Sequence, residues 1–305
     1  MGKIAFVFAG QGAQAPGMGR ALYEGFASAR AVFEKADAIR PGTSMQCFEG
    51  TQEELRNTAN TQPCMYAVEM AAAAALEECD ITADMTAGFS LGELSALTYA
   101  KVMDIETGMR LVSARGALMQ KASTEHKTSM AAVVKLSPEQ VEQICARFDA
   151  VYPVNYNCPG QITCSGADDE MTAFAAAVKE AGGRAIPVSV SGAFHSPFME
   201  NAACEFKKLI SDVTFDAARI PVYANYTAKP YDNDICAILG QQIDHPVKWE
   251  TIIRDMIADG ADTFIELGPG KTLSGFIKKT DRSVRTFQAS SKDEIEDIIS
   301  QVKIC

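Results

Sequence analysis

The sequence predicts an α/β protein with a parallel-sheet core and a small inserted domain of the ferredoxin-like type. Strands and helices alternate along most of the 305 residues, which is typical of a parallel sheet covered by helices. The middle of the chain instead follows the order β-α-β-β-α-β, which is the ferredoxin-like arrangement. We therefore expect an insertion at residues 128–194 and assign residues 1–127 and 195–305 to the large core.

The first part of the core is predicted from one apolar strand and the helical segments that follow it. Residues 3–8 form a short apolar run that ends in a glycine-rich loop. Helical patterns follow near 18–24, 29–38, 67–78 and 104–122. The alanine-rich run at 67–78 indicates close packing between helices.

Each element of the insertion has a local signal. Ser137 and Pro138 predict a helix start, with the serine as N-cap and the proline in the first turn. A glycine pair at 182–183 marks the end of another helix. The predicted elements are, in order, a strand at 130–136, a helix at 137–148, strands near 153–156 and 161–164, a helix at 169–180 and a strand at 185–190.

Composition excludes several classes of function. The chain has 47% hydrophobic and 22% charged residues, and its net charge of −11 argues against a nucleic-acid partner. The nine cysteines form no C-x-x-C pair and the three histidines add no metal-like spacing, so we expect reduced thiols, no metal and no permanently bound cofactor. No apolar run is long enough for a signal peptide or a membrane span, which predicts a cytoplasmic location without a membrane role.

The most informative stretch is Gly88-Phe89-Ser90-Leu91-Gly92, which fits the nucleophile-elbow pattern G-x-S-x-G. In that motif a serine lies on a sharp turn between a strand and a helix, and small flanking residues leave its hydroxyl accessible. Here residues 85–87 supply a short strand, and Glu93 falls in the first turn of a helix, where the dipole favours an anion. Because the same pattern occurs in ordinary loops, a catalytic interpretation needs a partner base.

His195 is the best candidate for that base among the three histidines. It lies where the chain leaves the insertion and re-enters the core, and clefts form at such junctions. The alternative is a structural histidine packed between Phe194 and Phe198. His126 lies in a polar stretch that indicates surface, and His245 precedes a proline in a loop.

Arg115 is a charged residue on an otherwise apolar helix face. Its neighbours at helical spacing are Leu111, Val112, Leu118 and Met119. A buried guanidinium needs an anionic or multiply hydrogen-bonded partner, and a substrate carboxylate can be gripped through two parallel bonds. The alternatives are a salt bridge within the core and a side chain that extends to solvent.

Two nucleotide-binding patterns are incomplete. Gly10-Gln11-Gly12-Ala13-Gln14-Ala15 satisfies the relaxed dinucleotide fingerprint, but no acidic residue closes a second strand at the required distance. Residues 268–272 look like a phosphate loop, yet Ile265 stands where the first glycine is required.

Taken together, the motifs resemble those of the malonyl-CoA:acyl-carrier-protein transacylases and of the acyltransferase domains of polyketide synthases. The resemblance covers nearly the whole chain and implies a hydrolase-like core with a ferredoxin-like insertion. It is carried by Phe8-Ala9-Gly10-Gln11-Gly12, residues 88–93, Arg115, residues 154–161, the segment around His195, residues 246–249 and residues 266–270.

The resemblance also implies roles for single residues. Ser90 would be the acylated nucleophile and His195 its general base and acid, and the backbone carbonyl of Gln242 would orient the histidine. The backbone amides of Gln11 and Leu91 would form the oxyanion hole.

Three further positions concern the substrate. Arg115 would bind the free malonyl carboxylate, and the bulky Phe194 is associated with selectivity for malonyl groups. Asn155 aligns with an asparagine near the site.

The chain departs from the family pattern at two positions. Phe89 replaces the histidine that is most common before the nucleophile, and we expect it to alter packing rather than chemistry. His245 stands where asparagine is usual, close to the carbonyl expected to orient His195.

The expected activity is transfer of a malonyl group from malonyl-CoA to the phosphopantetheine thiol of acyl carrier protein in fatty acid biosynthesis. Alternatives are a stand-alone acyltransferase that serves a polyketide synthase, a serine thioesterase, and a non-catalytic acyl-binding module. Arg115 argues against an esterase for neutral acyl groups, and the Ser90 and His195 pair argues against an inert module. Lys271, Lys278 and Lys279 are candidates for carrier docking, although they also fit a solvated helix face.

Overall fold

The computed structural model describes residues 2–188, 190, 192–232 and 234–302, which contain one parallel and one antiparallel sheet. The parallel sheet has the order β7-β2-β1-β8-β9 and the antiparallel sheet the order β4-β5-β3-β6. This is the α/β class with a ferredoxin-like insertion that the sequence predicts. The strands are β1 (Lys3–Phe8), β2 (Met85–Gly88), β3 (Thr128–Val134), β4 (Val151–Cys158), β5 (Gln161–Ala167), β6 (Arg184–Val188), β7 (Val222–Tyr223), β8 (Ala261–Leu267) and β9 (Arg285–Ala289).

Helices cover both faces of the parallel sheet. They are α1 (Arg20–Gly25), α2 (Ala27–Ile39), α3 (Thr43–Glu49), α4 (Gln52–Arg56), α5 (Thr58–Glu78), α6 (Gly92–Tyr99), α7 (Ile105–Ala122), α8 (Pro138–Cys145), α9 (Asp168–Glu180), α10 (Glu200–Ser211), α11 (Ile235–Gly240), α12 (Trp249–Ala258), α13 (Thr272–Thr280) and α14 (Lys292–Val302).

Strand β1 shows why the core has two layers of helices. Its apolar run is buried on both faces, as a central parallel strand must be. Phe6 and Phe8 belong to the apolar cluster formed with α2, α5 and α7. Ala5 and Val7 belong to the opposite cluster, formed with α12 and α13.

The register of the parallel sheet gathers several loops at one edge. Phe8 pairs with Gly88 on one side and with Leu267 on the other, and Ala87 pairs with Tyr223. Four strands therefore end at the same level, and the loops that follow them lie side by side. In parallel α/β sheets this carboxyl edge is where ligands bind.

Local signals predicted the insertion well. The N-cap of α8 is Ser137, whose hydroxyl accepts from the amide of Gln140 while the Gln140 side chain accepts from the amide of Ser137. The antiparallel order of its four strands is that of a ferredoxin-like sheet. Ser189, in the predicted last strand, lies outside the described residues, and the domain boundaries at 128 and 194 stay a prediction.

Helix α5 is longer than the sequence predicts. It begins at Thr58 rather than near residue 67 and includes Pro63, which removes one backbone donor. Most of its residues are buried whichever way they point, so the helix has no amphipathic period to detect. At its start, Asn57 acts as N-cap by accepting from the amide of Ala59, and tertiary packing buries most of the residues that follow.

Two further expectations concern the whole chain. In the described residues no helix is long and apolar enough to cross a membrane. The eight cysteines among the described residues are all free thiols, and five of them are buried.

Candidate active site

Ser90 lies on a tight turn between β2 and α6. Its φ of 55° is in the left-handed region, where a non-glycine residue is strained. A Cβ at position 88 would lie 1.9 Å from the carbonyl carbon of Gly92, and one at position 92 would lie 2.4 Å from the carbonyl oxygen of Phe8. Both glycines are therefore required by close approach of the backbone.

His195 faces the serine across the carboxyl edge of the sheet. Its Nε2 lies 2.7 Å from Ser90 Oγ, and its Nδ1 lies 2.9 Å from the backbone carbonyl oxygen of Gln242. Since a carbonyl can only accept, Nδ1 carries the proton and Nε2 can accept the hydroxyl proton of Ser90. The structure thus brings together the three residues that the resemblance links.

The surroundings of His195 keep its imidazole neutral. Burial, followed by the nearby charge of Arg115, lowers the pKa of His195 to about 4, while the backbone hydrogen bonds to Gln242 and His245 oppose the shift. A neutral imidazole at pH 7 is the form that can act as a base.

Arg115 is fully buried beside the serine. Its Nη2 donates to Ser90 Oγ at 3.2 Å and to Gln242 Oε1 at 2.7 Å, and its Nη1 donates to Gln62 Oε1 at 2.8 Å. Its Nε is buried without a hydrogen-bond partner.

The guanidinium charge has no anion in direct contact. Within the described residues no carboxylate oxygen lies within 4.0 Å of Arg115, and the side chain does not reach solvent. These findings exclude an extended, solvated side chain and contradict a direct core salt bridge. Burial lowers the pKa of Arg115 to about 10, and the charge of Glu93 opposes that shift, so the residue stays cationic at pH 7.

Two backbone amides are candidate donors for an oxyanion. Gln11, after β1, and Leu91, after the serine, both line the cleft at Ser90. Across the described ranges, neither amide donates to a protein acceptor. They are available to a negatively charged oxygen formed beside Ser90.

The cleft in front of Ser90 has a volume of about 300 Å³. Phe194, Met130 and Phe276 contribute apolar walls. Asn155 and Asn157, on β4, contribute buried amide oxygens that have no hydrogen-bond partner. The cleft therefore combines an apolar channel with a few unsatisfied polar atoms, as ligand sites do.

The two departures from the family pattern have different surroundings. Phe89 packs edge-on against Trp249, with ring centroids 5.5 Å apart, and lines the cleft. The His245 ring lies 2.9 Å from Asp244 and packs against Tyr226, so it is engaged away from the Ser90 hydroxyl. The Gln242 carbonyl contacts His195 with His245 in place.

Three residues have contacts at the site that the sequence did not predict. Asn225 Oδ1 accepts from the amide of Ser90 at 2.7 Å, and Gln62 holds Arg115. Glu93, expected only to favour the helix N-terminus, is buried and accepts from Asn225, Tyr231 and Gln242. A polar residue shortly after a strand at the carboxyl edge was the available signal for Asn225, but the two-residue β7 gave no pattern to place it.

The structure does not favour a metal or nucleotide site. In the part of the chain that the structure describes, no group of three or more histidine, cysteine or acidic side chains could hold a metal ion. After β1 the chain continues to residue 20 before α1 begins, whereas a dinucleotide fingerprint opens directly into a helix.

Comparison with known proteins decides the family. Residues 5–300 match the model of the acyl transferase domain. The chain belongs to the acyl transferase family. It is 39% identical over 311 residues to a malonyl CoA-acyl carrier protein transacylase of Bacillus subtilis strain 168, with 99% of this chain and 98% of the relative covered.

Solved structures of acyl transferases agree with this assignment. A malonyl CoA-acyl carrier protein transacylase from Clostridium perfringens matches with a TM-score of 0.96 and 34% identity, covering 99% of this chain and 98% of that one. A malonyl-transacylase in complex with its type II polyketide synthase acyl carrier protein matches with a TM-score of 0.94 and 30% identity, covering 98% and 99%.

Proposed function

We propose that this acyl transferase moves a malonyl group from malonyl-CoA to the phosphopantetheine thiol of acyl carrier protein through a malonyl-Ser90 ester. The observation that carries the proposal is the buried Arg115 guanidinium, 3.2 Å from Ser90 Oγ and without a carboxylate in direct contact among the described residues. A cation placed there fits an acyl group that ends in a carboxylate. The relatives, which are malonyl CoA-acyl carrier protein transacylases, support the same substrate and partner.

In the first half-reaction His195 Nε2 takes the proton of Ser90 Oγ as the oxygen attacks the malonyl thioester carbon. The thioester oxygen becomes an oxyanion, which the amides of Gln11 and Leu91 stabilise. The carbon–sulfur bond then breaks, and the protonated His195 gives its proton to the leaving coenzyme A thiolate.

The second half-reaction reverses these steps with a different thiol. The carrier phosphopantetheine thiol gives its proton to His195 and attacks the malonyl-Ser90 ester. Collapse of the second oxyanion releases malonyl carrier protein, and Ser90 recovers its proton from His195. The Gln242 carbonyl keeps Nδ1–H fixed throughout, so Nε2 always faces the reacting atoms.

Substrate selectivity is proposed to come from the cleft wall. Phe194 lines the same cleft as Ser90, and we assign to its bulk the exclusion of an α-methyl group. Asn155 and Asn157 line the same cleft, and their buried amide oxygens have no hydrogen-bond partner among the described residues. We assign them to the amide hydrogens of the pantetheine arm, which both substrates share.

Other functions fit less well. A non-catalytic acyl-binding module needs no serine and histidine 2.7 Å apart. A thioesterase for neutral acyl groups leaves Arg115 without a role. Service to a polyketide synthase uses the same site and is favoured by one solved relative, so it stands as the second candidate beside fatty acid biosynthesis. The proposal needs no resident cofactor and places the reaction in the cytoplasm, where thiols stay reduced.

Intact-mass spectrometry after mixing with malonyl-CoA alone tests the proposal. We expect one added malonyl group, mapped by peptide digestion to Ser90, and none on Ser90→Ala. Because Ser95 is a buried serine on α6 outside the cleft, Ser95→Ala is the matched control and should still be acylated. An unchanged mass for the parent, or equal malonyl transfer by Ser90→Ala, would contradict the proposed nucleophile.

A further inference from the structure

Below the catalytic residues, the carboxylate of Glu93 joins three separate segments of the core. The side chain is 1% exposed. Its Oε1 accepts from the amide of Asn225 at 3.0 Å and from the hydroxyl of Tyr231 at 2.7 Å, and its Oε2 accepts from Gln242 Nε2 at 2.8 Å. We infer that Glu93 is a positioning residue that fixes the side chains of Gln242 and Asn225 and, through them, Arg115 and the backbone of Ser90. This inference rests on the proposed malonyl transfer.

The orientation of the Gln242 amide depends on Glu93. Gln242 Nε2 donates both to Glu93 and to the carbonyl oxygen of Ser90, the latter at 2.5 Å. With its NH₂ group directed that way, Oε1 faces Arg115 Nη2 at 2.7 Å. The opposite orientation would set the NH₂ group against the guanidinium and Oε1 against two oxygens, leaving donors and acceptors mismatched.

Asn225 carries the second connection. Its backbone amide donates to Glu93 Oε1. Its side-chain Oδ1 accepts from the backbone amide of Ser90, and its Nδ2 donates to the backbone carbonyl of Gly88 at 2.6 Å. Ser90 is therefore fixed at its amide by Asn225 and at its carbonyl by Gln242. This pair of contacts holds the strained turn that Ser90 needs.

Glu93 also stabilises the buried Arg115 cation without contacting it directly. Burial raises the pKa of Glu93 to about 7, and its ionised form stabilises the guanidinium of Arg115 electrostatically, while the Gln242 amide lies between the two groups. A carboxylate in direct contact would compete with the substrate for the same donors. Among the described residues, therefore, no carboxylate in direct contact competes with an incoming one for the Arg115 donors.

Single-turnover acylation of Glu93→Gln by malonyl-CoA and by acetyl-CoA tests the inference. In one orientation the new NH₂ group opposes Gln242 Nε2, and in the other it opposes the backbone amide of Asn225 and the hydroxyl of Tyr231, so at least one hydrogen bond is lost. We expect the malonyl rate to fall on the order of tenfold or more, and the malonyl-to-acetyl ratio to fall roughly threefold or more, because only malonyl uses Arg115. General loss of structure would lower both rates alike.

Glu69→Gln is the matched control. Glu69 is equally buried and accepts from Ser95 on α6, but among the described residues it has no hydrogen bond to Gln242, Asn225 or Arg115. It should keep the parent rates and ratio. Gln242→Ala, which keeps the backbone carbonyl that faces His195, should reproduce the loss of ratio, and adding Glu93→Gln to it should cost much less than it does alone.

Three results would overturn the inference: a parent-like rate and ratio in Glu93→Gln, equal losses in Glu93→Gln and Glu69→Gln, or a parent-like ratio in Gln242→Ala. The Gln242→Ala result tests the inference even if Glu93→Gln does not fold. Phosphonylation of Ser90 by a fluorophosphonate separates this inference from the proposed function. A parent that is phosphonylated but not malonylated contradicts malonyl transfer alone, and slower phosphonylation of Glu93→Gln than of Glu69→Gln still supports the positioning role.

Discussion

At the scale of single residues, we propose that the buried Arg115 guanidinium distinguishes malonyl transfer from transfer of a neutral acyl group. Its described partners are the neutral side chains of Gln62, Gln242 and Ser90. Arg115→Ala should lower kcat/KM for malonyl-CoA on the order of 10²-fold or more, because charge-assisted hydrogen bonds to the carboxylate are lost. Acetyl-CoA should gain relative to malonyl-CoA, since it has no carboxylate to bind.

The measurement is the ratio of acylation rates for the two thioesters, with folding followed by thermal melting. Arg110→Ala is the matched control, because Arg110 is an exposed arginine on the same helix α7. Arg115→Lys should restore only part of the rate, since an ammonium cannot form the bidentate pair. A ratio that stays at the parent value in Arg115→Ala would make Arg115 a purely structural residue.

A second prediction at this scale concerns the pH dependence of His195. Burial and the charge of Arg115 lower its pKa to about 4 from an ordinary value near 6.5. The imidazole therefore stays neutral, and able to act as a base, as the pH falls from 7 towards 5. We expect the acid limb of the acylation rate to lie well below pH 6, in a pH-rate profile measured with malonyl-CoA alone.

The same pKa shift of His195 also determines how the free energy of unfolding changes with pH. In the unfolded chain the histidine binds a proton below about pH 6.5, whereas the folded chain binds it only near its lower pKa. His195 thus lowers the free energy of unfolding as the pH falls through this window. Parallel pH-rate profiles of His126→Gln and His245→Gln should keep the parent limb. Because burial raises the pKa of Glu93 to about 7, a limb near pH 6.5 contradicts a buried, neutral base only if it persists in Glu93→Gln.

At the scale of elements, the sequence predicted those helices and strands that carry a local signal. The strand Lys3–Phe8 has the predicted bounds, and the serine cap of α8 is where the pattern puts it. By contrast, β2 has weak strand propensity and was predicted only through the nucleophile-elbow motif; β1 and β7 pair with it on both sides. Its existence depends on partners far away in the chain, which one sequence window does not contain.

The residues of the candidate site also fall into those with a local sequence signal and those without one. Ser90 and Arg115 are visible in the sequence because each breaks a local rule, one a strained turn between glycines and the other a charge on an apolar helix face. Asn225, Gln62 and Glu93 break no such rule. Gln62 lies on α5, Glu93 on α6 and Asn225 after β7, so only the folded chain brings them together.

At the scale of the whole molecule, the net charge of −11 opposes the approach of an acidic carrier protein. A local basic surface can still attract it. Lys271, Lys278 and Lys279 are exposed on and beside α13, the helix whose first turns line the cleft. Lys279 Nζ lies 3.1 Å from Oε1 of Gln161, which also lines the cleft, so the basic surface adjoins the route to Ser90.

Charge reversal of these three lysines tests whether the surface docks the carrier. We expect KM for the carrier protein to rise on the order of tenfold and its salt dependence to weaken, while acylation by malonyl-CoA alone changes little, because the reacting groups lie deeper in the cleft. The matched control reverses Lys35, Lys127 and Lys179, three exposed lysines that do not line the cleft, so that the net charge falls equally in both variants. Equal effects in the two variants would mean that the carrier responds only to total charge. No effect in either would leave α13 with a solvated end whose cations merely complement the helix dipole, and the docking surface would then have to lie on another face of the cleft.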